Sequence, residues 1–279
     1  MAHGISGIEH IALAVSDLDH TVAYLERLGF TVAPGERAAK TVKAGATSLI
    51  LPRERIEIRR ADRDRESRIE AGLLSADLDQ CRSMLERKGW TLSEEKRPVF
   101  SAGTETETRR CLLLNDEAPH ADVNFEICTP VVLPSEQMAE WSTHANGARA
   151  LGVVTAVNDD PEALCPWAEK LFGESAVVLT DDTLAVFPGH SGFLFVTPDH
   201  LGVMFPEFEL EDIPAGHVVA ISVLVDDIEQ TAETLEKGEV DFRWGRADGV
   251  LHVPHTPDLN LLLEFTTRDR YGSVRSFFD

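Results

Sequence analysis

The stretch DLDHTVAYLERLGF from Asp17 returns as DLDQCRSMLERKGW from Asp77, a constant offset of 60 residues (77 against 17). Looser copies begin at Asp160 (DPEALCPWAEKLFG) and Asp227 (DIEQTAETLEKGEV). The first copy opens on an aspartate placed as a helix N-cap, and Val22, Leu25 and Leu28 give the apolar spacing of an amphipathic helix that ends at Gly29. A short β-prone run precedes each copy, in turn ALAV, GLLS, GVVTAV and AISVLV, and a β-rich stretch closing on an apolar strand follows. The pattern predicts an α+β chain filled by four βαβββ units.

Within the first unit, Ile11, Leu13 and Val15 alternate with His10, Ala12 and Ala14. Period two sets the bulky aliphatics on one face and a histidine with two small neighbours on the other. In RIEIRR, Glu57 lies between Ile56 and Ile58 and points away from both, as an inward-facing ligand or a half-exposed edge strand would. The second unit carries Glu70 at the position of His10. Its closing strand DVNFEICTP puts Val123, Phe125 and Ile127 on one face and Asn124, Glu126 and Cys128 on the other. The third unit has Gly152 or Val153 in place of His10, and Phe193 and Phe195 where Glu57 would fall. The fourth has Ala220 in place of His10 but supplies Glu264, and His252 and His255 flank a proline turn. The second half therefore reads as a scaffold or substrate-side wall, with the chemistry in the first half.

A formal charge of −22, from 48 acidic against 26 basic residues, repels phosphate backbones and anionic lipid surfaces, so neither nucleic acid nor membrane is an expected partner. No stretch has the length of a membrane-spanning helix and MAHGISGIEH lacks the regions of a signal peptide, which makes a cytoplasmic location the expectation. Cys81, Cys111, Cys128 and Cys165 form no CxxC and read as reduced core thiols. Residues 35–43 read as a polar turn and 61–68 as a charged connector. Residues 131–149 read as a linker, in which His144 takes a structural or solvent-exposed role and Asn146 belongs to turn chemistry. The expected domains are 1–130 and 150–279.

EHIALAVSDLDHTVAYLERLGF, with the repeated units and the glutamates on closing strands, resembles the vicinal oxygen chelate superfamily, which includes glyoxalase I, bleomycin-resistance proteins and extradiol dioxygenases. The segment HANGA before the third unit is similar to a glyoxalase-like branch of it. The resemblance implies that the units pair into two cupped, incomplete β-barrels with helices outside. It also implies a divalent metal ion (Mg, Mn, Ni or Zn) in the first cup, held by His10, Glu57, Glu70 and Glu126. Glu70 departs from the histidine or glutamine usual at its position. Three carboxylates around one ion leave excess negative charge that protonation or neighbouring cations must neutralise, and oxygen-rich ligation favours Mg²⁺ or Mn²⁺ over zinc.

By the same resemblance the chain is expected to be a metal-dependent enzyme of lyase or isomerase type. It would act on a small substrate with vicinal oxygens, with Glu126 or Glu70 carrying the proton. In the alternative, Glu70 points outward or pairs with an arginine such as Arg68 or Arg109, and the protein is a metal-free small-molecule binder of the bleomycin-resistance type. A ring-cleaving dioxygenase, the third reading, would need His120 or His144 to join from a loop. The expected partners are a small molecule and, as one option, a second copy of the chain.

Overall fold

The computed structural model describes residues 4–34, 46–60, 69–101, 104–115, 123–206, 208, 218–255, 259 and 261–267. The polar turn at 35–43, the connector at 61–68 with Arg68, and His120 lie outside the described residues. The first half contains β1 (Gly7–Val15), α1 (Leu18–Arg27), β2 (Ala46–Ile50), β3 (Arg55–Arg60), β4 (Ile69–Leu74), α2 (Leu78–Arg87), β5 (Leu92–Ser101), β6 (Thr104–Leu114) and β7 (Val123–Cys128). After α3 (Ser135–Trp141) come β8 (Ala148–Val157), α4 (Pro161–Phe172), β9 (Val177–Leu179), β10 (Thr183–Val186), β11 (Gly192–Val196) and α5 (Pro198–Met204). The chain continues through β12 (Val218–Val225), α6 (Ile228–Lys237), β13 (Arg243–Trp244), β14 (Val250–Val253) and β15 (Leu262–Thr266).

Two open sheets result, ordered β2-β3-β1-β4-β7-β6-β5 and β13-β14-β15-β12-β8-β11-β10-β9. Units pair within each half: β1 runs antiparallel to β4 at the centre of one sheet, and β8 antiparallel to β12 at the centre of the other. Each closing strand returns parallel to its own unit's opening strand, β3 on β1, β7 on β4, β11 on β8 and β15 on β12. In the first unit the expected strand after α1 is reduced to a single bridge, Ala33 to Ser48.

The four aspartates do what the repeat requires. Asp17, Asp77, Asp160 and Asp227 cap α1, α2, α4 and α6, each accepting from backbone N–H groups of the first turn that have no partner inside the helix. These four helices pack on one face of the sheets, where Ile11, Leu13, Val15, Ile56, Ile58, Leu73, Phe125 and Ile127 share one continuous core with Val154, Ile221, Phe193, Phe195 and Phe265 of the second half. Phe125 of β7 touches Trp167 and Phe172 of α4 and Phe193 of β11, and Trp90 meets Trp167 edge-on, so the two halves are joined through buried aromatics. Phe193 and Phe195 thus face this core; Leu194, opposite Thr155, takes the place corresponding to Glu57, which corrects the expectation for that strand by one residue. A slip of one position moves a strand side chain to the opposite face.

The linker also fastens the halves. His144 is buried, accepts from Thr31 N–H at Nδ1 (3.0 Å) and lies 3.0 Å from the Ile50 carbonyl through Nε2, while Asn146 donates to the Leu28 carbonyl. Gly238 closes the α1–α6 contact, because a Cβ there would stand 2.0 Å from the Arg27 carbonyl oxygen. Glu239 then has φ 53°, a positive φ of the kind that Gly29 and Gly89 take after α1 and α2.

Two outcomes follow from this geometry. Glu239→Gly relieves a backbone conformation unfavourable to side chains and should stabilise the fold by about 0.5–1 kcal/mol in chemical denaturation. Burial holds the His144 imidazolium unfavourable and lowers its pKa from 6.5, with the Ile50 carbonyl opposing. The unfolded chain therefore takes up the proton first as pH falls, so stability is full above about pH 6.5 and declines below it. That decline should be shallower in His144→Gln, measured by denaturation between pH 7.5 and 5.

Candidate functional site

The face of the first sheet turned away from the shared core is polar. His10 projects there from β1, together with Ala12; Arg55, Glu57 and Arg59 alternate along β3; Glu70 and Gly72 come from β4; Glu126 and Cys128 from β7; Arg109 from β6 and Arg97 from β5. Glu9 joins them through a bulge. The β1–β4 register shifts between Ile8 and His10, so two residues of β1 oppose one of β4 and both Glu9 and His10 turn to this face. The fourth unit has the same bulge at Val219, which packs on the corresponding face of the second sheet, so the device belongs to the repeat and only its side chain differs.

Glu9 fixes the imidazole. Its Oε2 lies 2.6 Å from His10 Nδ1 and accepts from Arg55 and Arg109, each at 2.9 Å. Burial alone would raise the Glu9 pKa, but Arg55, the bond to His10 and Arg109 outweigh it and hold the carboxyl at about 2. In the neutral ring with Nδ1–H donated to this carboxylate, Nε2 would carry the lone pair. That atom is buried and, among the described residues, has no hydrogen-bond partner; it points to Glu126 Oε1 at 3.4 Å. Gly72 makes the ring position available, since a Cβ there would stand 2.1 Å from His10 Nδ1 and Cε1.

All four residues expected to hold a metal lie on this face, yet they are not equivalent. Glu57 is held by Arg55 (3.1 Å), Arg59 (2.5 Å) and Arg109 (3.4 Å). Its carboxyl, pushed up by burial, is brought well below the usual carboxylate range by His10 and these arginines. Glu70 pairs with Arg59 at the rim and with Arg97 at 3.9 Å. Among the described residues its cations therefore come from β3 and β5, and not from Arg109; the other arginine considered, Arg68, lies outside the described residues. Glu126 is held by Arg97 at 2.6 Å through Oε2, and its Oε1 accepts from the Cys128 thiol at 3.3 Å. The hydrogen bond that Cys128 donates to Cys111 Sγ, 2.8 Å away on the neighbouring strand, together with burial and Glu126 raises the Cys128 pKa and keeps it a thiol.

Four glutamates (9, 57, 70, 126) thus meet four arginines (55, 59, 97, 109), and the formal charges cancel. Among the described residues, the donors that approach one another closely enough for one cation are His10, Glu126 and Cys128, all within 4.8 Å and all buried. The set fits a divalent ion in two respects: Nε2 is an orphaned donor oriented by a carboxylate behind it, and three donors leave positions for substrate. It differs from the expected oxygen-rich quartet, because sulfur stands in place of two carboxylates that arginines occupy; with the Cys128 proton displaced by the ion, nitrogen, oxygen and sulfur together would suit a borderline ion such as zinc better than Mg²⁺.

The corresponding face of the second sheet is closed by its own side chains. Val153, Val157, Leu194, Val219, Ala220 and Leu262 pack there with Leu201 of α5 and with Phe205. Glu264 stands opposite Ser222 as Glu57 stands opposite Ala12, but it pairs with His252 at 3.0 Å beneath Phe205 and Phe208. His144, engaged in the linker, does not reach the first face.

The architecture can be compared with that of known proteins. No family model matches the chain and no curated protein matches it. Among solved structures, the Mn(II)-bound glyoxalase from Novosphingobium aromaticivorans aligns over 94% of this chain and 82% of its own, with 13% identity and a TM-score of 0.61. The chain has the vicinal oxygen chelate fold. A mutant 4-hydroxymandelate synthase from Streptomyces coelicolor shares this fold at 17% identity and TM-score 0.59, over 94% of this chain and 92% of that one. So does homoprotocatechuate 2,3-dioxygenase from Arthrobacter globiformis, at 14% and 0.59 over 96% and 81%. Enzymes of different chemistry share this one fold, so the likeness fixes architecture and leaves activity to the side chains.

Sequence reading did not single out Glu9, Arg55, Arg59 or Arg97. Arg55 and Arg59 share the period-two face of Glu57 and could have been found from RIEIRR; Glu9 could not, because a bulge breaks that period. Gly72→Ala should expel the imidazole and cost about 1–3 kcal/mol in denaturation. In a double-mutant cycle most of that cost should vanish when His10→Ala is already present.

Proposed function

We propose that this protein is an enzyme that transfers a proton on a small substrate with vicinal oxygens, at a divalent-metal site formed by His10, Glu126 and Cys128. The observation that supports the reading is the buried His10 Nε2, held by Glu9 toward Glu126 and left without a hydrogen bond among the described residues. Keeping a polar atom unpaired in the interior costs about 1–3 kcal/mol, a cost consistent with a donor reserved for a ligand. An ion bound there would supply Lewis-acid stabilisation of an enediolate-like charge. The residues of the chain do the rest. Glu126, flanked by Arg97 and by Arg109 at 3.9 Å, is the proton carrier, and those guanidinium groups counter negative charge that develops on the substrate. Glu57 keeps Arg55, Arg59 and Arg109 in place as a structural counter-ion.

A second reading has its own support. The arginines neutralise every glutamate of the face without an ion, as a metal-free binding module of the same fold requires. A third, ring cleavage, has less support, because one histidine faces the site among the described residues where two with a carboxylate are expected.

Elemental analysis of protein purified without chelator separates the first two. The enzyme reading expects one divalent ion per chain, zinc ahead of magnesium, lost in His10→Ala while circular dichroism is unchanged. Ion-free protein that also fails to take up Zn²⁺, Mn²⁺ or Ni²⁺ in calorimetric titration leaves the binding module as the function.

A further inference from the structure

Six strands of the first sheet bring charged side chains to the face of His10, and their exposure is graded. At the floor, His10 is fully buried, and the side chains of Glu126 and Arg109 are each 5% exposed. At the rim, Arg59 is 30% exposed, Glu70 28% and Arg97 26%. Each rim arginine is anchored on one side by a buried acid. Arg59 donates to Glu57 Oε2 through Nε (3.1 Å) and NH2 (2.5 Å), which leaves NH1 directed at Glu70 Oε2. Arg97 NH1 is 2.6 Å from Glu126 Oε2 and 3.9 Å from the same Glu70 oxygen. Two guanidinium groups, each fixed from below, thus converge on one partly exposed carboxylate oxygen.

We infer that Glu70 is an exchangeable stand-in, and that the substrate is a small carboxylate whose anionic group takes the place of the Glu70 carboxylate between Arg59 and Arg97. The inference rests on the reading of this face as a substrate site and deepens it by naming the substrate class. Three physical points carry it. Glu57 and Glu126 cannot leave without stranding a buried charge, whereas Glu70 can turn to solvent, and its partly exposed pair is weak. A ligand carboxylate matches the planar group it replaces, so the guanidinium geometry needs no rebuilding. Ala12, opposite Glu70 in the β1–β4 register, puts only a methyl group beside that carboxylate, and His10 Nε2 lies on the same face at its buried floor. In a chain of net charge −22, those two arginines are the more exposed cations of this face among the described residues, at 30% and 26% against 14% for Arg55 and 5% for Arg109, and so the ones an anion meets first.

The test uses glycolate, a carboxylate with an adjacent oxygen, and its uncharged counterpart glycolamide, titrated by ligand-observed NMR into chelator-treated protein so that no metal contributes. Glu70→Ala removes the internal competitor and should bind glycolate about fivefold more tightly than the parent protein. Arg59→Met should weaken binding by at least about tenfold. Glycolamide should bind none of the three. Glycolate should also raise the melting temperature of Glu70→Ala more than that of the parent protein, which confirms that the variant is folded. Unchanged or weaker binding in Glu70→Ala, equal binding of glycolamide, or no glycolate binding by any of them overturns the inference. None of these results bears on metal uptake, which is read separately in His10→Ala, so either conclusion can fail while the other stands.

Discussion

A carboxylate removed from water keeps its charge only if a cation lies beside it, and one face of this protein carries four such pairings in a single layer. Glu9, Glu57 and Glu126 are nearly sealed from solvent, and each is held by at least one guanidinium group within 2.9 Å. Withdrawing one member of a buried pair of this kind typically costs about 3–5 kcal/mol, a large share of the stability of an ordinary domain. The network therefore constrains β1, β3, β5, β6 and β7 to one register, and the position of His10 is a consequence. The imidazole is fixed by Glu9, which is itself fixed by Arg55 and Arg109 from two other strands.

The same network gives the face its chemistry. Arginine charge answers the question raised by three carboxylates around one ion: the excess is neutralised by neighbours, and two of the carboxylates are committed to that task. What remains for a ligand is a nitrogen, a carboxylate oxygen and a thiol, with cationic groups close by to receive negative charge. The second sheet shows what the architecture does without this investment in charge. Its equivalent bulge holds Val219, its equivalent face is filled by Leu194, Leu201 and Phe205, and its one acid of matching position, Glu264, is paired with His252. The two frames are similar, and their side chains make one of them polar and the other apolar.

Much of the frame was legible before any coordinates. The aspartate caps at 17, 77, 160 and 227, the glycines ending three helices and the period-two faces of β1, β3 and β7 are local features, set by hydrogen bonds and burial within a few residues. His10, Glu57, Glu70 and Glu126 were found by that alternation, and it does place all four on one face. The third unit shows the limit: aromatic residues at 193 and 195 drew the register one position off, because bulk on a strand buried on both faces does not say which side is which.

The sequence by itself determined four strand–helix repeats, their caps, the core-facing aliphatics and the strands from which polar groups project. Tertiary structure decided which of those groups are free. A bulge at Glu9 reversed the face of one acid, arginines from β3, β5 and β6 claimed Glu57 and Glu70, and Cys128 came within reach of His10. These are contacts between residues up to about a hundred positions apart, set by strand register across the sheet. Local periodicity carries the direction of a side chain but not the identity of its partner, since pairing energy depends on distances that exist only once the strands are aligned.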